Sequence, residues 1–237
     1  LSDPLIPDHV LHEFTPGVPA NVATSPAQRV FMHWAEPYGA AATDYDLYVL
    51  DPTLDEVLGA STNTQDGTQN PGEYVDAPSS GTFPAGSRVI VAKKTGAQDL
   101  MFNLQWYRGT LTQATAGATR GHSAAPAALS IAATPAAAAT GPTPPNPAGP
   151  FPNPFDATAR IELFSSDGPR RIFFDGAGNL LPGAPAGNFT ASGGVVRVKP
   201  DITAADGVVT ATPGYERFFG TSAAAPQVAA IAALVKQ

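Results

Sequence analysis

Hydrophobic positions change their spacing along this chain, and each spacing predicts a different element. Between Arg29 and about Arg108 they come in short runs, "RVFMHW", "YDLYVLD", "EVLGAST", "SRVIVAKK" and "LMFNLQWY", separated by Pro, Gly, Asn and Asp clusters. Alternation puts the apolar side chains on one face of a strand, and the clusters supply the turns. This stretch therefore predicts an antiparallel β-sandwich. From about Gly109 continuous apolar runs take over. "AALSIAAT" is the kind of run used by a parallel strand buried on both faces, and "VVRVKPDITAADGVVTAT" predicts further strands of the same second core. The final "TSAAAPQVAAIAALV" carries Ala, Val, Ile and Leu on nearly every side, which predicts a helix buried over most of its circumference.

Proline and glycine mark the boundaries. Residues 1–28 are proline-rich without a sustained period and read as an extended connector with at most one edge strand. "PAAAATGPTPPNPAGPFPNP" at 135–154 admits neither helix nor central strand and predicts a polyproline-like surface loop. "RRIFFDGAGNLLP" predicts a hairpin about Asp175 to Gly178. The expected organisation is a connector at 1–28, a β-sandwich at 29–108 and a second domain at 109–237.

Composition narrows the function. The chain has 237 residues, a net charge of -7 and 14% charged residues, with no basic stripe for nucleic acid. It has no cysteine, so disulfides and thiolate metal sites are excluded. The 23 glycines and 25 prolines describe a loop-rich β-containing chain. No apolar run reaches membrane-spanning length, and the start "LSDPLIPDHV" has neither the basic nor the apolar region of a leader. The chain reads as soluble and already processed, with no membrane partner.

The residues that carry chemistry stand in three motifs: "FSSDGP" (Phe164 to Pro169), "KPDI" (Lys199 to Ile202) and "GTSAAAP" (Gly220 to Pro226). Ser222 falls at the mouth of the last helix, beside unpaired N–H groups at the positive end of the helix dipole, a suitable place for an oxyanion. Gly220 lets the backbone approach a bound acyl group, Thr221 can close the helix start with its hydroxyl, and Pro226 is tolerated near a first turn. A plain helix-capping serine is the alternative for an isolated motif.

Together, in this order, the three motifs resemble those of the subtilisin-like serine peptidases, the subtilases, over roughly Gly109 to Gln237. The resemblance implies an α/β fold: part of a subtilisin-like parallel sheet with a central buried helix, beside the inserted antiparallel sandwich. It implies Ser222 as nucleophile, Gly220 and Thr221 as its support, and a peptide or protein substrate. It also implies no cofactor for the chemistry and a secreted, extracellular or periplasmic location.

Subtilases supply an Asp, a His and an oxyanion Asn from segments N-terminal to the serine. None of His9, His12, His33 or His122 stands in the family's "HGTH"-like context, although His122 in "RGHSAAPAALSIAA" is the most tempting base. The chain thus resembles a C-terminal part whose partner is the missing N-terminal half of the catalytic domain, and which is inactive alone. Gln227 stands where many subtilases have His, and Ala230 where they have Gly. The related sedolisins, with Glu and Asp in place of His and Asp, stay open as an acid-active alternative, while "KPDI" and "FSSDGP" favour the subtilase side. Asp167 and Arg170 would form either an ion pair near the site or an ordinary charged turn.

The sandwich, with "TDYDLYVLDP", "STNTQDG" and "PGEYV", resembles pre-peptidase C-terminal and related jelly-roll modules. Asp44, Asp46, Asp66 and Glu73 are hard oxygen donors near predicted turns, as a structural calcium ion requires; Asp also favours turns for its own hydrogen bonds. A binding protein that uses the sandwich on a degenerate peptidase scaffold is the competing function.

Overall fold

Alternation in the first half of the chain is realised as two antiparallel sheets. The structure, a computed structural model, describes residues 2–3, 6–79, 81–137 and 148–236. Its first nine strands are β1 (Ser2–Asp3), β2 (Ile6–Leu11), β3 (Ala20–Val22), β4 (Arg29–Trp34), β5 (Tyr45–Leu50), β6 (Val57–Ser61), β7 (Gly72–Asp76), β8 (Arg88–Lys94) and β9 (Phe102–Trp106). One sheet has the order β1-β2-β8-β5-β6, with β3 also on β8, and the other the order β7-β4-β9. On β4 the period of two is plain: Val30, Met32 and Trp34 are buried, while Arg29, Phe31 and His33 take the other face. These join Leu47, Val49, Val75, Phe83, Val89, Val91 and Trp106 in one apolar cluster fed by both sheets.

Residues 1–28 do more than connect. His9, Val10 and Leu11 pair with Lys94, Lys93 and Ala92 of β8, and Ala20, Asn21 and Val22 pair with Ile90, Val89 and Arg88. Together β2 and β3 pair along one side of β8, and β1 pairs with the far side of β2. Between them a turn in which the Val18 amide donates to the Thr15 carbonyl holds Pro16 and Pro19, outside both strands, where no ladder donor is needed. The chain divides into two compact units, Leu1–Thr115 with Arg171–Val195, and Ala116–Arg170 with Val196–Gln237. This division puts residues 1–28 and 171–195 with the antiparallel sheets, where the sequence placed them elsewhere. The expected hairpin is there: the Asp175 amide donates to the Asn179 carbonyl and the Gly178 amide to the Asp175 carbonyl.

The remaining strands are β10 (Ile131–Pro135), β11 (Arg170–Ile172), β12 (Val195–Arg197), β13 (Ile202–Asp206), β14 (Val208–Val209) and β15 (Arg217–Phe218), followed by the single α-helix among the described residues, α1 (Thr221–Val235). In the second unit β10 and β13 pair in parallel from Ile131 opposite Ile202 to Pro135 opposite Asp206, and α1 packs on both. Of the proline-rich stretch 135–154, residues 138–147 lie outside the described residues.

The helix departs from expectation. Only Ala223, Ala224 and Val228 of α1 are buried, whereas Ile231, Leu234 and Val235 are 60%, 69% and 82% exposed. Its 15 residues extend about 22 Å, and five-residue strands about 17 Å. Among the described residues a two-stranded sheet covers one face of the first two turns and leaves the rest of the apolar surface open.

Candidate active site

The strand that leads into the site is anchored by "KPDI". Lys199 is buried, and its Nζ donates to the Ala128 carbonyl and to Asp201 Oδ2, each at 2.7 Å. Asp201 Oδ2 also accepts the Ser130 amide at 2.7 Å, and the Asp201 amide donates to the Ser130 carbonyl at 2.8 Å. The Lys199 hydrogen bond, then that of the Ser130 amide, holds the Asp201 carboxyl below its usual range. These contacts set the register in which β10 and β13 begin.

The "FSSDGP" segment lines the other side of β10. Ser165 Oγ accepts the Ala133 amide at 3.0 Å, and the Glu162 amide donates to the Ala133 carbonyl at 2.8 Å. Asp167 is a turn residue: its Oδ1 accepts the Gly117 and Ala118 amides, both at 3.0 Å. Arg170, buried, donates from Nη1 to the Gly117 carbonyl at 3.1 Å. Gly168 is required by packing, because a Cβ there would stand 1.9 Å from the Lys199 carbonyl oxygen. Two of the motifs thus meet backbone to backbone.

The third motif opens α1. Gly220 is the N-cap, with φ 109° and ψ 162°, a conformation that side chains rarely adopt. Thr221 is the first helical residue and makes no capping hydrogen bond, so its expected closing role is not seen; Ser222 lies inside the first turn and is not the cap. The Ala223 and Ala224 amides donate to the Gly220 carbonyl at 2.9 and 3.2 Å. Among the described residues the Thr221 and Ser222 amides and the Ser222 hydroxyl have no hydrogen-bond partner, and Ser222 is exposed. Pro226 sits in the second turn, where its missing N–H withholds the usual helical bond from the Ser222 carbonyl. A cleft of about 140 Å³ at this end of the helix is lined chiefly by Thr119, Arg120, Ser130, Phe164, Ser166 and Thr221.

Asp206, which the sequence did not mark, and Gln227 tie the helix to β13. Asp206, fully buried at the end of β13, accepts the Gly220 amide on Oδ2 at 2.8 Å. Gln227 donates from Nε2 to the Ala205 carbonyl at 2.7 Å and to the Ala223 carbonyl at 3.1 Å. The signal for Asp206 was a charged residue ending an otherwise small and apolar strand.

No histidine is joined to Ser222 among the described residues. His122 is exposed on a short 3-10 turn (Gly121–Ala124). In the first unit His9 Nε2 lies 3.2 Å from Asp46 Oδ2, His12 packs edge-on against Phe14 and Phe102, and His33 is on β4 opposite Gly72 and Asn103. Burial holds the His12 imidazole below its usual range, offset in part by Asp99 and Glu13.

The model of the Subtilase family matches residues 60–237, three quarters of the chain, and so takes in all three motifs. The chain belongs to the subtilase family. No curated protein and no solved structure matches it. Within this subtilase the acidic residues marked as calcium donors accept hydrogen bonds from the protein's own groups. Asp44 accepts the Gln65 amide at 3.2 Å, Asp46 the Tyr48 hydroxyl at 3.0 Å, and Asp66 the Gln69 side-chain amide at 2.8 Å. Glu73, buried on β7, accepts from Ser61, from Asn63 at 2.9 Å and from Gln65 at 2.7 Å. Among the described residues no group of three or more His, Asp or Glu is arranged to hold a metal ion.

Proposed function

We propose that the chain carries the nucleophile of a subtilisin-like serine endopeptidase. Ser222 Oγ attacks the peptide carbonyl carbon and loses its proton to a base. The tetrahedral intermediate expels the amine, which takes that proton, and water then releases the acyl group from Ser222. The observation that carries the reading is Ser222 exposed on a helical first turn with the Thr221 and Ser222 amides open beside it. Amides so placed stabilise the oxyanion, worth roughly 10²–10³ in kcat for one donor.

The base and the orienting acid belong, in this reading, to a further part of the catalytic domain that covers the exposed apolar face of α1. Covering Ile231, Leu234 and Val235 would gain about 1.5–3 kcal/mol each. The antiparallel unit is then an accessory jelly-roll-like module, and the enzyme acts outside the cytoplasm on peptides or proteins. A sedolisin-like base differs only in that covering part. In the complete enzyme Ser222→Ala should lower peptide hydrolysis at least about 10³-fold with the melting temperature unchanged; hydrolysis that survives the change rules the reading out.

The absence of a base on Ser222 among the described residues also suits a second reading, a binding protein that works through its antiparallel sheets. That reading expects no hydrolysis in the complete protein and ligand binding indifferent to Ser222→Ala.

A further inference from the structure

Asp206 is an expensive residue to keep. It is fully buried at the last position of β13; its Oδ2 accepts the Gly220 amide at 2.8 Å, and its Oδ1 has no hydrogen-bond partner among the described residues. A buried carboxylate satisfied on one oxygen costs stability. Burial, outweighing the Gly220 hydrogen bond, pushes its carboxyl above the usual range.

What it holds explains the cost. Gly220, at φ 109°, has no side chain with which to cap α1 and leads directly into Thr221 and Ser222. An ordinary capping carboxylate would accept the first helical amides. Asp206 instead accepts the amide one residue earlier, which fixes the turn and leaves the Thr221 and Ser222 amides unoccupied. The neighbouring carbonyl of Ala205 accepts Gln227 Nε2 at 2.7 Å. Consecutive residues of β13 therefore grip the helix before and after Ser222.

We propose that Asp206 is a positioning residue for the Ser222 nucleophile, acting through the Gly220 amide to set the backbone that carries Thr221 and Ser222. The role rests on the serine-peptidase reading. A nucleophile about 1 Å out of place costs on the order of 10²-fold, and because the substrate does not touch Asp206, the loss falls on kcat.

The test uses the complete protein as wild type, Asp206→Ala and Asp206→Asn, with peptide hydrolysis, the rate of fluorophosphonate labelling at Ser222 and the Gly220 amide resonance as readouts. Asp206→Ala should lower kcat and the labelling rate roughly 10- to 100-fold with KM held within about two-fold. Asp206→Asn, which keeps an acceptor oxygen, should restore most of both. If Asp206→Ala does not fold, Asp206→Asn decides: the Gly220 amide proton should move upfield as a charge-assisted bond becomes a neutral one, and an unmoved resonance overturns the proposal. A labelled wild type with Asp206→Ala labelled at the same rate, or a change confined to KM, sinks the positioning role alone. An unlabelled wild type sinks the peptidase reading together with this role.

Discussion

The two units bury different things. In the first, Phe83, Met32, Leu47, Val30, Val49, Val89 and Val91 are almost wholly enclosed, and the most deeply buried carboxylate, Glu73, is met by three neutral donors. In the second, the enclosed residues are small or polar: Ala132, Ala133, Ala223 and Ala224, with Lys199, Arg170, Glu162 and Asp206. Its large apolar side chains, Leu129, Leu163, Val198, Val209, Ile231 and Leu234, lie outside. Apolar burial is the main favourable term in folding, so the first unit has the interior of a self-sufficient core. The second fills its interior with polar ties, Lys199 to Ala128 and Asp201, Arg170 to Gly117 and Asp206 to Gly220, and its apolar surface calls for a cover.

The comparison can be broken most forcefully in the first unit. Phe83→Ala should cost about 3–5 kcal/mol by leaving a cavity against Trp106; chemical denaturation reads it, and a loss below about 1 kcal/mol would deny that this cluster is the organising core. Next, Glu73→Ala should cost about 1–3 kcal/mol because the buried Gln65 side-chain amide loses its acceptor. No comparable loss is expected in this chain from Leu234→Ser, which should stay within about 0.5 kcal/mol on an open surface. In the complete enzyme the same change should cost about 2 kcal/mol if the helix face is covered, and equal effects in the two settings would remove the argument for a cover.

His12 and Asp206 should also answer pH with opposite signs. His12 has a lowered pKa when folded, so the unfolded chain binds the extra proton first and stability is lost as pH falls through the unfolded value of about 6.5. Asp206 has a raised one, so the folded chain keeps its proton longer, and stability is lost as pH rises from the unfolded value of about 3.9 toward the raised folded value. Melting temperatures of wild type against His12→Gln and against Asp206→Asn across pH 3–8 separate the two; slopes of the same sign would contradict the assignment. The smallest effect is expected from His122→Ala, which should leave hydrolysis in the complete enzyme unchanged.

How much of this was legible follows from where the driving force is local. The strands Arg29–Trp34, Tyr45–Leu50, Val57–Ser61, Arg88–Lys94 and Phe102–Trp106 were readable because alternation and turn residues specify them within a few positions. Residues 1–28 were read as a connector with one edge strand because their prolines speak against strands, and only pairing with β8 turns two of their segments into β2 and β3. β7 was seen as a turn with an acidic residue, since "PGEYVD" is short and Glu73 points inward to side chains contributed by another segment. The motif order marked Ser222 correctly as the start of a helix, but composition alone cannot say what covers a helix, so α1 was expected buried where it is half open. Asp206 carried only the weak signal of a charge ending a small, apolar strand, because its role is a hydrogen bond across 14 positions to Gly220.

The central claim is that Ser222 is placed as a nucleophile and lacks its base and orienting acid among the described residues. Fluorophosphonate labelling followed by peptide mass spectrometry, run on the chain alone, on the complete enzyme and on its Ser222→Ala variant, tests it most directly. The account predicts an adduct on the Ser222 peptide of the complete enzyme, little or none on the chain alone, and none after Ser222→Ala. It would be contradicted by a complete enzyme that takes no label, or by a chain that labels robustly alone and loses the label with His122→Ala.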